Sequence, residues 1–318
     1  MVGELNDILG RLETSLGPLT GEPRKLDGGI TNRNFRVTLG DGEYVVRRPG
    51  KDTELLGIDR AAELAANETA AALGIAPAVA AFVEDCLVTS FVACRALAPG
   101  ELAAGVEEIA RALRAFHESG VRLRARFWVP DLLADYAAIV AARGGRPTPD
   151  YEAARAAAAA IAQALAPAPL RPCHNDLLPG NVIRASPDGR LMLVDWEYAG
   201  IGDARFDLGN VSVNNDFDDA ADELLLSAYD GERPTDARRA SLKLMRVMSD
   251  AREGAWGVVQ GVISELDFDF DAYAREHFER LRATVDRRDF ADWLRSAGET
   301  GGGPRADGEQ RRSDGQAA

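Results

Sequence analysis

The hydrophobic and polar positions near the amino terminus predict a β-hairpin. Residues 34–39 place polar and apolar side chains at a period of two, and residues 44–48 resume this strand-like pattern. Asp41 and Gly42 between the two runs are typical of a tight hairpin turn. The alternation therefore predicts two antiparallel strands joined by a short loop.

A helix and further strands follow the hairpin. Residues 59–73 have apolar positions at helical spacing, and the pattern stops at Gly74 with Pro77 just beyond, which is typical of a helix end. Short apolar runs at 82–83 and 87–92 are strand-like. The first 92 residues are therefore predicted to form a small antiparallel sheet accompanied by one helix.

The chain beyond Pro99 is rich in Ala, Leu, Glu and Arg and is predicted to be mainly helical. Helical spacing covers residues 101–119, 130–142, 151–165, 218–229, 236–266 with a break near 254–261, and 270–295. A β-rich insert over 173–195 separates the third helix from the fourth. We predict an α+β fold with two lobes, 1–92 and 93–296, and a disordered tail over 297–318.

The charge balance excludes some classes of partner. The 318 residues carry 51 acidic against 37 basic side chains, a formal net charge of −14. Nucleic acids and anionic membrane surfaces are bound through clustered Lys and Arg, so we expect neither as a partner. No run approaches the ~18 apolar residues of a membrane-spanning helix, and the amino terminus carries Glu4 and Asp7. We expect a soluble, cytoplasmic protein, whose oligomeric state the sequence does not indicate.

The cysteines do not predict a disulfide or a zinc site. Cys86, Cys94 and Cys173 are an odd number, have no C-x-x-C spacing and stand in apolar surroundings. We expect all three to be reduced residues of the core.

The most informative stretch of the sequence spans residues 173–197. His174, Asp176 and Asn181 have the H-x-D-x-x-x-x-N spacing of a kinase catalytic loop, and Asp195 follows the apolar run 191–194. A loop, a strand, a turn and a second strand would bring these polar side chains to one edge of a hairpin. Phosphoryl transfer needs one carboxylate to orient the acceptor hydroxyl, and an Asn and a second Asp to hold magnesium against the phosphates. His174 is expected to brace the loop.

The same stretch resembles one family. Residues 174–181, the Asp-Trp-Glu-Tyr-Ala-Gly segment over 195–200 and the Asp-Ala-Arg-Phe-Asp-Leu-Gly-Asn segment over 203–210 are similar to those of choline/ethanolamine kinases. These kinases belong to the protein-kinase-like superfamily that also contains aminoglycoside phosphotransferases. The resemblance covers about residues 26–294 and implies a two-lobed kinase-like fold, with ATP and Mg²⁺ in the cleft.

The resemblance also implies roles for individual residues. Asp176 would be the catalytic base or would orient the substrate hydroxyl. Asn181 and Asp195 would bind magnesium, and Glu197 would be a further acid at the metal site. Asp207 would hold the structure of the loop.

The amino-terminal lobe would cover the nucleotide. Its turn over 28–34 offers Gly29, Thr31 and Asn32 as backbone, hydroxyl and amide donors to phosphates. Strand alternation sends Arg47 and Arg48 to opposite faces, and we expect Arg47 to enter the cleft, where its guanidinium can serve two phosphate oxygens.

Two further contacts are expected around the nucleotide. The acidic partner of Arg47 should be Glu63 on the predicted helix, with Glu68 as the alternative. Residues 89–92 are the expected hinge between the lobes, where the backbone of Ser90 and Val92 would bond the adenine edge. ATP and GTP remain open as the nucleotide.

The acceptor site is expected to favour a cation. Acidic residues crowd the segment 207–236, in which Arg233 is the single base, and such a surface attracts cationic substrates. A quaternary ammonium is bound by aromatic faces, and Trp256 lies where the resembled family supplies one. Tyr198 is a further aromatic candidate, with Phe217 and Trp293 weaker. Asn214 and Asp216 offer polar contacts to hydroxyl or amine groups.

The sequence thus leads to a kinase for a small cationic alcohol, with choline or ethanolamine as the expected acceptor. An aminoglycoside or a thiamine-like molecule is the alternative acceptor for the same chemistry. A nucleotide-binding regulator without catalysis is the alternative of another class, although Asp176, Asn181 and Asp195 are all present.

Overall fold

The computed structural model describes residues 2–26, 32–95, 97 and 100–299. The amino-terminal lobe is a five-stranded antiparallel sheet with the order β1-β2-β3-β5-β4. Its elements are α1 (Val2–Leu16), β1 (Leu19–Leu26), β2 (Arg33–Leu39), β3 (Gly42–Arg48), α2 (Arg60–Ala72), β4 (Val79–Val83) and β5 (Cys86–Ser90). The predicted hairpin is confirmed as β2 and β3, in which Asn34 pairs with Arg47 and Leu39 with Gly42.

The sequence predictions did not include helix α1. Its buried residues Leu5, Ile8, Leu9 and Leu12 have the i, i+3, i+4, i+7 spacing of one helical face. They form a small core with the sheet, where Val46 is fully buried. This helix therefore covers the face of the sheet that carries Val46.

Helix α2 begins and ends as its sequence indicates. The Asp59 side chain accepts hydrogen bonds from the backbone N–H groups of Ala61 and Ala62, which satisfies two otherwise unpaired donors. Past the end of the helix, Gly74 has a left-handed φ of 75°, a conformation that glycine adopts without a steric penalty. These two ends fix the buried face that carries Glu63.

The second lobe is mainly helical, as predicted. Its helices are α3 (Glu101–Ala104), α4 (Val106–His117), α5 (Val129–Ala142), α6 (Pro149–Ala164), α7 (Arg205–Asn214), α8 (Asp219–Asp230), α9 (Asp236–Ile263), α10 (Phe270–Val285) and α11 (Phe290–Ser296). Helix α9 packs against α5, α6, α7, α10 and α11 and is the centre of the lobe. The α+β class and the division into a small sheet and a helical part are therefore confirmed.

Three helix predictions for this lobe were wrong in detail. The predicted break near 254–261 does not occur, because Gly254 and Gly257 bring α9 close to Phe278 and Ala274 of α10 and the helix continues through them. The predicted helix over 101–119 is divided at Gly105, and the one over 270–295 forms α10 and α11. Helix α7 was not predicted as a helix.

The β-rich insert lies between α6 and α7. Strand β7 (Leu170–Cys173) pairs with β10 (Gly200–Asp203), and β8 (Val182–Ala185) pairs with both β6 (Cys94–Arg95) and β9 (Leu191–Leu193). Short 3₁₀ turns occur at Thr53–Leu56 and Pro179–Asn181. The insert therefore places the loop after β7 and the loop after β9 side by side.

Several other expectations concern the surface and the chain ends. Cys86 and Cys173 are buried free thiols, but Cys94 is exposed on the short edge strand β6, so the prediction of a third core cysteine was wrong. No helix in the described ranges is long and apolar enough to cross a bilayer. Most of the predicted tail, from residue 300 onward, lies outside the described residues.

Candidate active site

The loop after β7 is held in place by buried polar groups. Both carboxylate oxygens of Asp207 accept backbone hydrogen bonds, from His174 N–H at 2.7 Å and from Asn175 N–H at 2.8 Å. Asn175 has a left-handed φ of 68°, which Asn tolerates better than most residues, and its side chain donates to the carbonyl of Tyr198 at 3.0 Å. These contacts fix the loop that carries Asp176, as the predicted loop-holding role of Asp207 requires.

Asp207 also accepts a hydrogen bond from His117 Nε2 at 2.9 Å. Burial alone would raise the pKa of the Asp207 carboxyl, but the hydrogen bond and the positive potential from His117 hold the pKa below its ordinary value. The carboxylate is thus kept in the ionised form that can accept from three donors.

His174 joins the two loops. It is fully buried, its Nε2 lies 3.0 Å from the carbonyl oxygen of Val194, and its Nδ1 accepts from the Asp176 backbone N–H at 3.2 Å. A carbonyl can only accept, so Nε2 carries the proton. Burial lowers the pKa of His174, which favours this neutral form. The imidazole therefore links the residue before Asp195 to Asp176, in agreement with the predicted bracing role.

Asp176 is almost completely buried, and both of its carboxylate oxygens are engaged. Asn181 Nδ2 donates to Oδ2 at 3.1 Å, and Arg252 Nη1 donates to Oδ1 at 3.0 Å. Burial and the neighbouring charges of Glu253 and Asp195 raise the pKa of Asp176, while Arg252 opposes this rise. The carboxylate lies between a predicted metal ligand on one side and a guanidinium on the other.

Asn181 and Asp195 lie on the two loops that the insert brings together. Asn181 uses its amide nitrogen for both of its side-chain bonds, to the Asp176 carboxylate and to the Asp176 backbone carbonyl, so its amide oxygen is not needed for them. Asp195 follows β9 with a left-handed φ of 66°. One amide oxygen and a carboxylate are hard oxygen donors of the kind Mg²⁺ prefers, so this donor set fits the ion.

An ion-pair network connects the lobes next to Asp195. Arg47 Nη1 donates to Glu63 Oε1 at 2.9 Å and to Asp195 Oδ1 at 2.7 Å, and Glu63 is fully buried. Burial disfavours the charge on Arg47, but the carboxylates of Asp195 and Glu63 raise its pKa overall. Glu68, the alternative partner for Arg47, is an exposed residue of α2.

The network extends to Arg60, which the sequence predictions missed. Arg60 Nη1 donates to Glu63 Oε2 at 2.7 Å and lies 3.4 Å from Glu197 Oε2. Its i, i+3 spacing from Glu63 on α2 was the available sequence signal. Glu197 Oε2 also accepts from Asn32 Nδ2 at 2.7 Å, and burial together with Asp195 raises the pKa of Glu197. Glu197 is thus tied to the amino-terminal lobe, and its role as a metal ligand stays a prediction.

The predicted nucleotide contacts are only partly described. Gly29 and Thr31 lie outside the described residues, whereas Asn32 is buried against Glu197. The Ser90 backbone N–H donates to the carbonyl of Ala78 at 2.8 Å within the sheet. The Ser90 N–H is therefore already occupied, and the contact of Val92 with adenine stays a prediction.

Aromatic side chains form a cluster around Trp256. Trp256 is 3% exposed, and its Nε1 donates to the hydroxyl of Tyr198 at 2.8 Å. The ring of Trp256 packs edge-on against Phe270 and Tyr273, with centroid distances of 5.8 and 5.5 Å. The predicted acceptor residues Trp256 and Tyr198 therefore contact each other.

Charged residues of α9 connect this cluster to the catalytic loop. Glu253 accepts from the Tyr273 hydroxyl at 2.8 Å and from Arg252 Nη1 at 2.7 Å, and the Arg252 guanidinium lies 4.2 Å above the Tyr198 ring. Sequence reasoning missed Arg252, Glu253 and Tyr273. The signal was the helical spacing, which puts residues 252 and 253 one turn before Trp256.

Asn214 and Asp216 lie apart from this cluster. Asn214 accepts from Arg280 at 3.1 Å, and Asp216 is an exposed residue in the turn after α7. In the described part of the chain, no hydrogen bond or ion pair joins either residue to Asp176 or Trp256. The weaker candidates Phe217 and Trp293 line a separate cavity of about 840 Å³ on the second lobe.

The acid-rich segment does not form an unpaired acidic surface. Its carboxylates are largely paired with basic residues of α9: Asp219 and Asp222 with Lys243, Asp222 with Arg246, Glu223 and Asp236 with Arg239, and Asp230 with Arg238. The expectation that this segment attracts the acceptor was therefore wrong in its physical basis. The acidic group in contact with the aromatic cluster is Glu253.

A cavity of about 560 Å³ opens between the lobes beside these groups. Its lining includes Asn32 from the ion-pair network, Gln260 one helical turn beyond Trp256, and Lys51 and Glu265. Lys51 and Glu265 form an exposed ion pair of 2.8 Å across the two lobes. The cavity therefore offers a small molecule space beside Asn32 of the network, and its wall on α9 begins one turn beyond Trp256.

Comparisons with solved structures show that known proteins share this fold. A crystal structure of a choline/ethanolamine kinase family protein from Mesorhizobium loti has a TM-score of 0.77 and 29% identity, covering 92% of this chain and 99% of that one. The crystal structure of choline kinase LicA from Streptococcus pneumoniae has a TM-score of 0.75 and 25% identity, covering 89% and 99%. A LicA structure in complex with AMP is also similar, with a TM-score of 0.71.

Sequence matches to curated relatives are shorter. Protein LicA from Haemophilus influenzae is 42% identical over 60 residues, which is 19% of this chain and 22% of that protein. A model of the phosphotransferase enzyme family matches residues 22–242. That match covers well over half of the sequence, and the chain belongs to the phosphotransferase enzyme family.

Proposed function

We propose that this protein transfers the γ-phosphoryl group of ATP to the hydroxyl of a small cationic alcohol, choline or ethanolamine. One observation carries the proposal. The Asp176 carboxylate is joined through Arg252 to a cluster that combines aromatic rings with the buried carboxylate of Glu253. The reacting hydroxyl and the cationic end of one small molecule can therefore be bound by adjoining groups.

Each group near Asp176 has a task in the proposed reaction. Asp176 orients the acceptor hydroxyl and accepts its proton, and the loop contacts of Asp207 and His174 keep Asp176 in place. Asn181 and Asp195 would hold Mg²⁺, which supplies positive charge to the phosphates when bound. Arg47, fixed by Glu63, would bind phosphate oxygens from the amino-terminal lobe. The AMP-bound LicA relative supports an adenine nucleotide as the donor.

The acceptor end of the site matches an ammonium group. Aromatic faces attract a quaternary ammonium without hydrogen bonds, and a carboxylate pairs with any cation in a buried site. Trp256, Tyr273 and Glu253 provide both elements. The ion pairs between α9 and five acids of the segment 207–236 reduce the acidic surface that would favour a polycationic aminoglycoside.

A panel of acceptors tests the proposal. ADP release is measured with choline, ethanolamine, thiamine and several aminoglycosides, and the product is identified by ³¹P NMR. We expect the highest kcat/KM for choline or ethanolamine, and no turnover for Asp176→Asn in a protein with an unchanged circular dichroism spectrum. The highest kcat/KM with an aminoglycoside, or ATP binding without phosphorylation of any alcohol, would contradict the proposal.

Trp256 tests the cationic end of the site. Because Trp256 is 3% exposed, Trp256→Ala would leave a core cavity that costs about 3–5 kcal/mol in stability. Trp256→Leu keeps apolar bulk and removes the π face. We expect a KM for the acceptor that is roughly 2- to 30-fold higher, corresponding to ~0.5–2 kcal/mol of cation–π attraction. Trp293→Leu, at a half-buried position lining the other cavity, is the matched control and should leave KM unchanged.

A further inference from the structure

The cavity of about 560 Å³ between the lobes contains a polar group without a partner. Gln260 of α9 lines this cavity and is 4% exposed, yet its side-chain amide forms no hydrogen bond with any residue in the described part of the chain. An unpaired amide that is nearly buried is unfavourable, and a hydrogen-bonding ligand would satisfy it. Gln260 therefore points to a small molecule in this cavity, whose volume falls within the ~300–1,000 Å³ typical of ligand sites.

The charged groups around the cavity indicate which ligand fits. Arg33 and Arg48 are opposite each other in the pairing of β2 with β3, and both line the cavity. Lys51 adds a third basic side chain from the amino-terminal lobe. Glu265, which follows α9 in the second lobe, is the acid among the described residues of the lining. Three bases and one acid favour a ligand that carries both an anionic and a cationic group.

These side chains match a phosphate and an ammonium group. Guanidinium and ammonium side chains bind phosphate through charge-assisted hydrogen bonds, and the Gln260 amide offers two further N–H donors. Lys51 and Glu265 are 2.8 Å apart, so a zwitterion between the lobes can place its phosphate by Lys51 and its ammonium by Glu265. Both residues of this ion pair are exposed, and such a pair contributes little to stability, so opening it costs little.

The cavity is separate from the groups that would carry out phosphoryl transfer. Among the described residues, its lining includes none of Asp176, Asn181 and Asp195. Asn32 is the connection between the two places, because it lines the cavity and donates a hydrogen bond to Glu197 at 2.7 Å. A phosphate in the cavity would therefore lie beside the ion-pair network without occupying the expected magnesium site.

We propose that this cavity binds the phosphorylated product of the reaction, a small zwitterion that joins a phosphomonoester to an ammonium group. The identity of the ligand rests on the proposed function, since transfer of a phosphoryl group to choline or ethanolamine gives this chemistry. The phosphate lies towards Lys51 and accepts a hydrogen bond from Gln260. The ammonium group lies beside Glu265. The site thus holds the product between the lobes, away from Asp176.

Binding of phosphocholine to the full chain, without nucleotide or Mg²⁺, tests the proposal. Affinities for phosphocholine, inorganic phosphate and choline are measured by calorimetry for wild type, Gln260→Leu, Lys51→Glu and Glu265→Gln. The ¹⁵N side-chain amide signal of Gln260, assigned by its loss in Gln260→Leu, reports contact with the ligand. Lys25→Glu and Gln163→Leu are the matched controls, at exposed described positions that do not line this cavity.

We expect phosphocholine to shift the Gln260 amide signal and to bind more tightly than inorganic phosphate or choline. Gln260→Leu should weaken phosphocholine binding roughly 2- to 10-fold, which corresponds to one neutral hydrogen bond. Lys51→Glu reverses a charge at the cavity and should weaken binding at least ~5-fold. Because Lys51 is exposed, this variant carries the test if Gln260→Leu does not fold.

Glu265→Gln separates the two ends of the ligand. It should weaken the binding of phosphocholine, which has an ammonium group, and should not weaken the binding of inorganic phosphate. Lys25→Glu and Gln163→Leu should bind phosphocholine as wild type does. Inorganic phosphate that binds as tightly as phosphocholine would contradict the assignment of a zwitterionic ligand.

Two further results would overturn the inference and leave the proposed function intact. One is wild-type affinity of Gln260→Leu and Lys51→Glu for phosphocholine. The other is binding that Trp256→Leu abolishes and that leaves the Gln260 amide signal unshifted, which would place the product in the acceptor site. Phosphocholine binding in the cavity of a protein that phosphorylates no alcohol would instead contradict the proposed function and, with it, the identification of the ligand as product.

Discussion

Glu63 provides the sharpest test of how the lobes hold the nucleotide. Its buried carboxylate receives Arg47 Nη1 at 2.9 Å and Arg60 Nη1 at 2.7 Å, one guanidinium on each oxygen. Glu63→Gln keeps the shape and one carbonyl oxygen, so one charge-assisted bond is lost and an amide N–H₂ faces a guanidinium. A hydrogen bond to a charged group contributes about 1.5–3 kcal/mol. We expect the free energy of unfolding to fall by this amount.

The same substitution should weaken the use of ATP. Arg47 is also bonded to Asp195, but Asp195 is expected to bind Mg²⁺. When Mg²⁺·ATP is bound, Glu63 would therefore be the carboxylate that holds Arg47 in place. If the whole free energy of the lost hydrogen bond is needed to position Arg47 for ATP, kcat/KM for ATP falls roughly 10- to 100-fold. Steady-state kinetics and urea unfolding measure the two effects.

Glu68→Gln is the matched control for this test. Glu68 lies five residues further along the same helix and is exposed, so its substitution should change stability by less than about 0.5 kcal/mol and leave kcat/KM unchanged. Equal behaviour of Glu63→Gln and Glu68→Gln would refute the reasoning, because it would mean that the buried ion pair neither stabilises the fold nor positions Arg47.

Two further predictions concern the packing around the site. Asp207→Asn turns one acceptor oxygen into a donor facing a backbone N–H, so we expect a loss of about 1–3 kcal/mol in urea unfolding and a lower kcat because the Asp176 loop is loosened; wild-type stability would contradict this. Gly209→Ala would place a Cβ 2.6 Å from the backbone carbon of Met245 and should destabilise by about 1–3 kcal/mol. Gly261 is also on a helix, α9, but a Cβ there meets no atom closer than 3.8 Å, so Gly261→Ala should stabilise the protein by about 0.5–1 kcal/mol. If both substitutions changed the stability in the same direction, close helix packing would not explain the loss expected for Gly209→Ala.

The parts of the site that were predictable from the sequence depend on local geometry. Asp176 and Asn181 belong to one loop with a fixed spacing, and Asp195 follows the adjacent strand. Strand alternation separates Arg47 from Arg48, and helical rotation separates Glu63 from Glu68, although the choice of Glu63 came from a spacing to the helix end that resembles that of choline kinases. Each of these arguments involves a few neighbouring residues whose relative directions secondary structure fixes, and the structure contains the resulting pair of Arg47 and Glu63.

The parts that were not predictable depend on contacts between distant segments. Arg252 and Asp176 are 76 positions apart, and Arg60 reaches Glu197 over 137 positions. Periodicity identifies the helix that carries Arg252 but not the loop that the helix packs against. The glycines at 254 and 257 were misinterpreted for the same reason, since only the approach of α10 explains them.

The distribution of acidic residues along the sequence was the least reliable guide to the acceptor site. The acids over 207–236 suggested an electrostatic preference for a cation, yet α9 supplies basic partners to most of them. Paired charges at a surface produce a weak field at a distance. The proposed preference for a cation therefore does not depend on the acids over 207–236.

The charges within the site support a single positive charge on the acceptor. When ionised, the buried carboxylates of Asp176 and Glu253 outnumber the one guanidinium of Arg252, which leaves one negative charge in surroundings where charges are poorly solvated. A monocation such as choline or ethanolamine neutralises it, whereas an anionic alcohol would add to it. On this reasoning Glu253, paired with Arg252 beside Asp176, selects the charge of the acceptor.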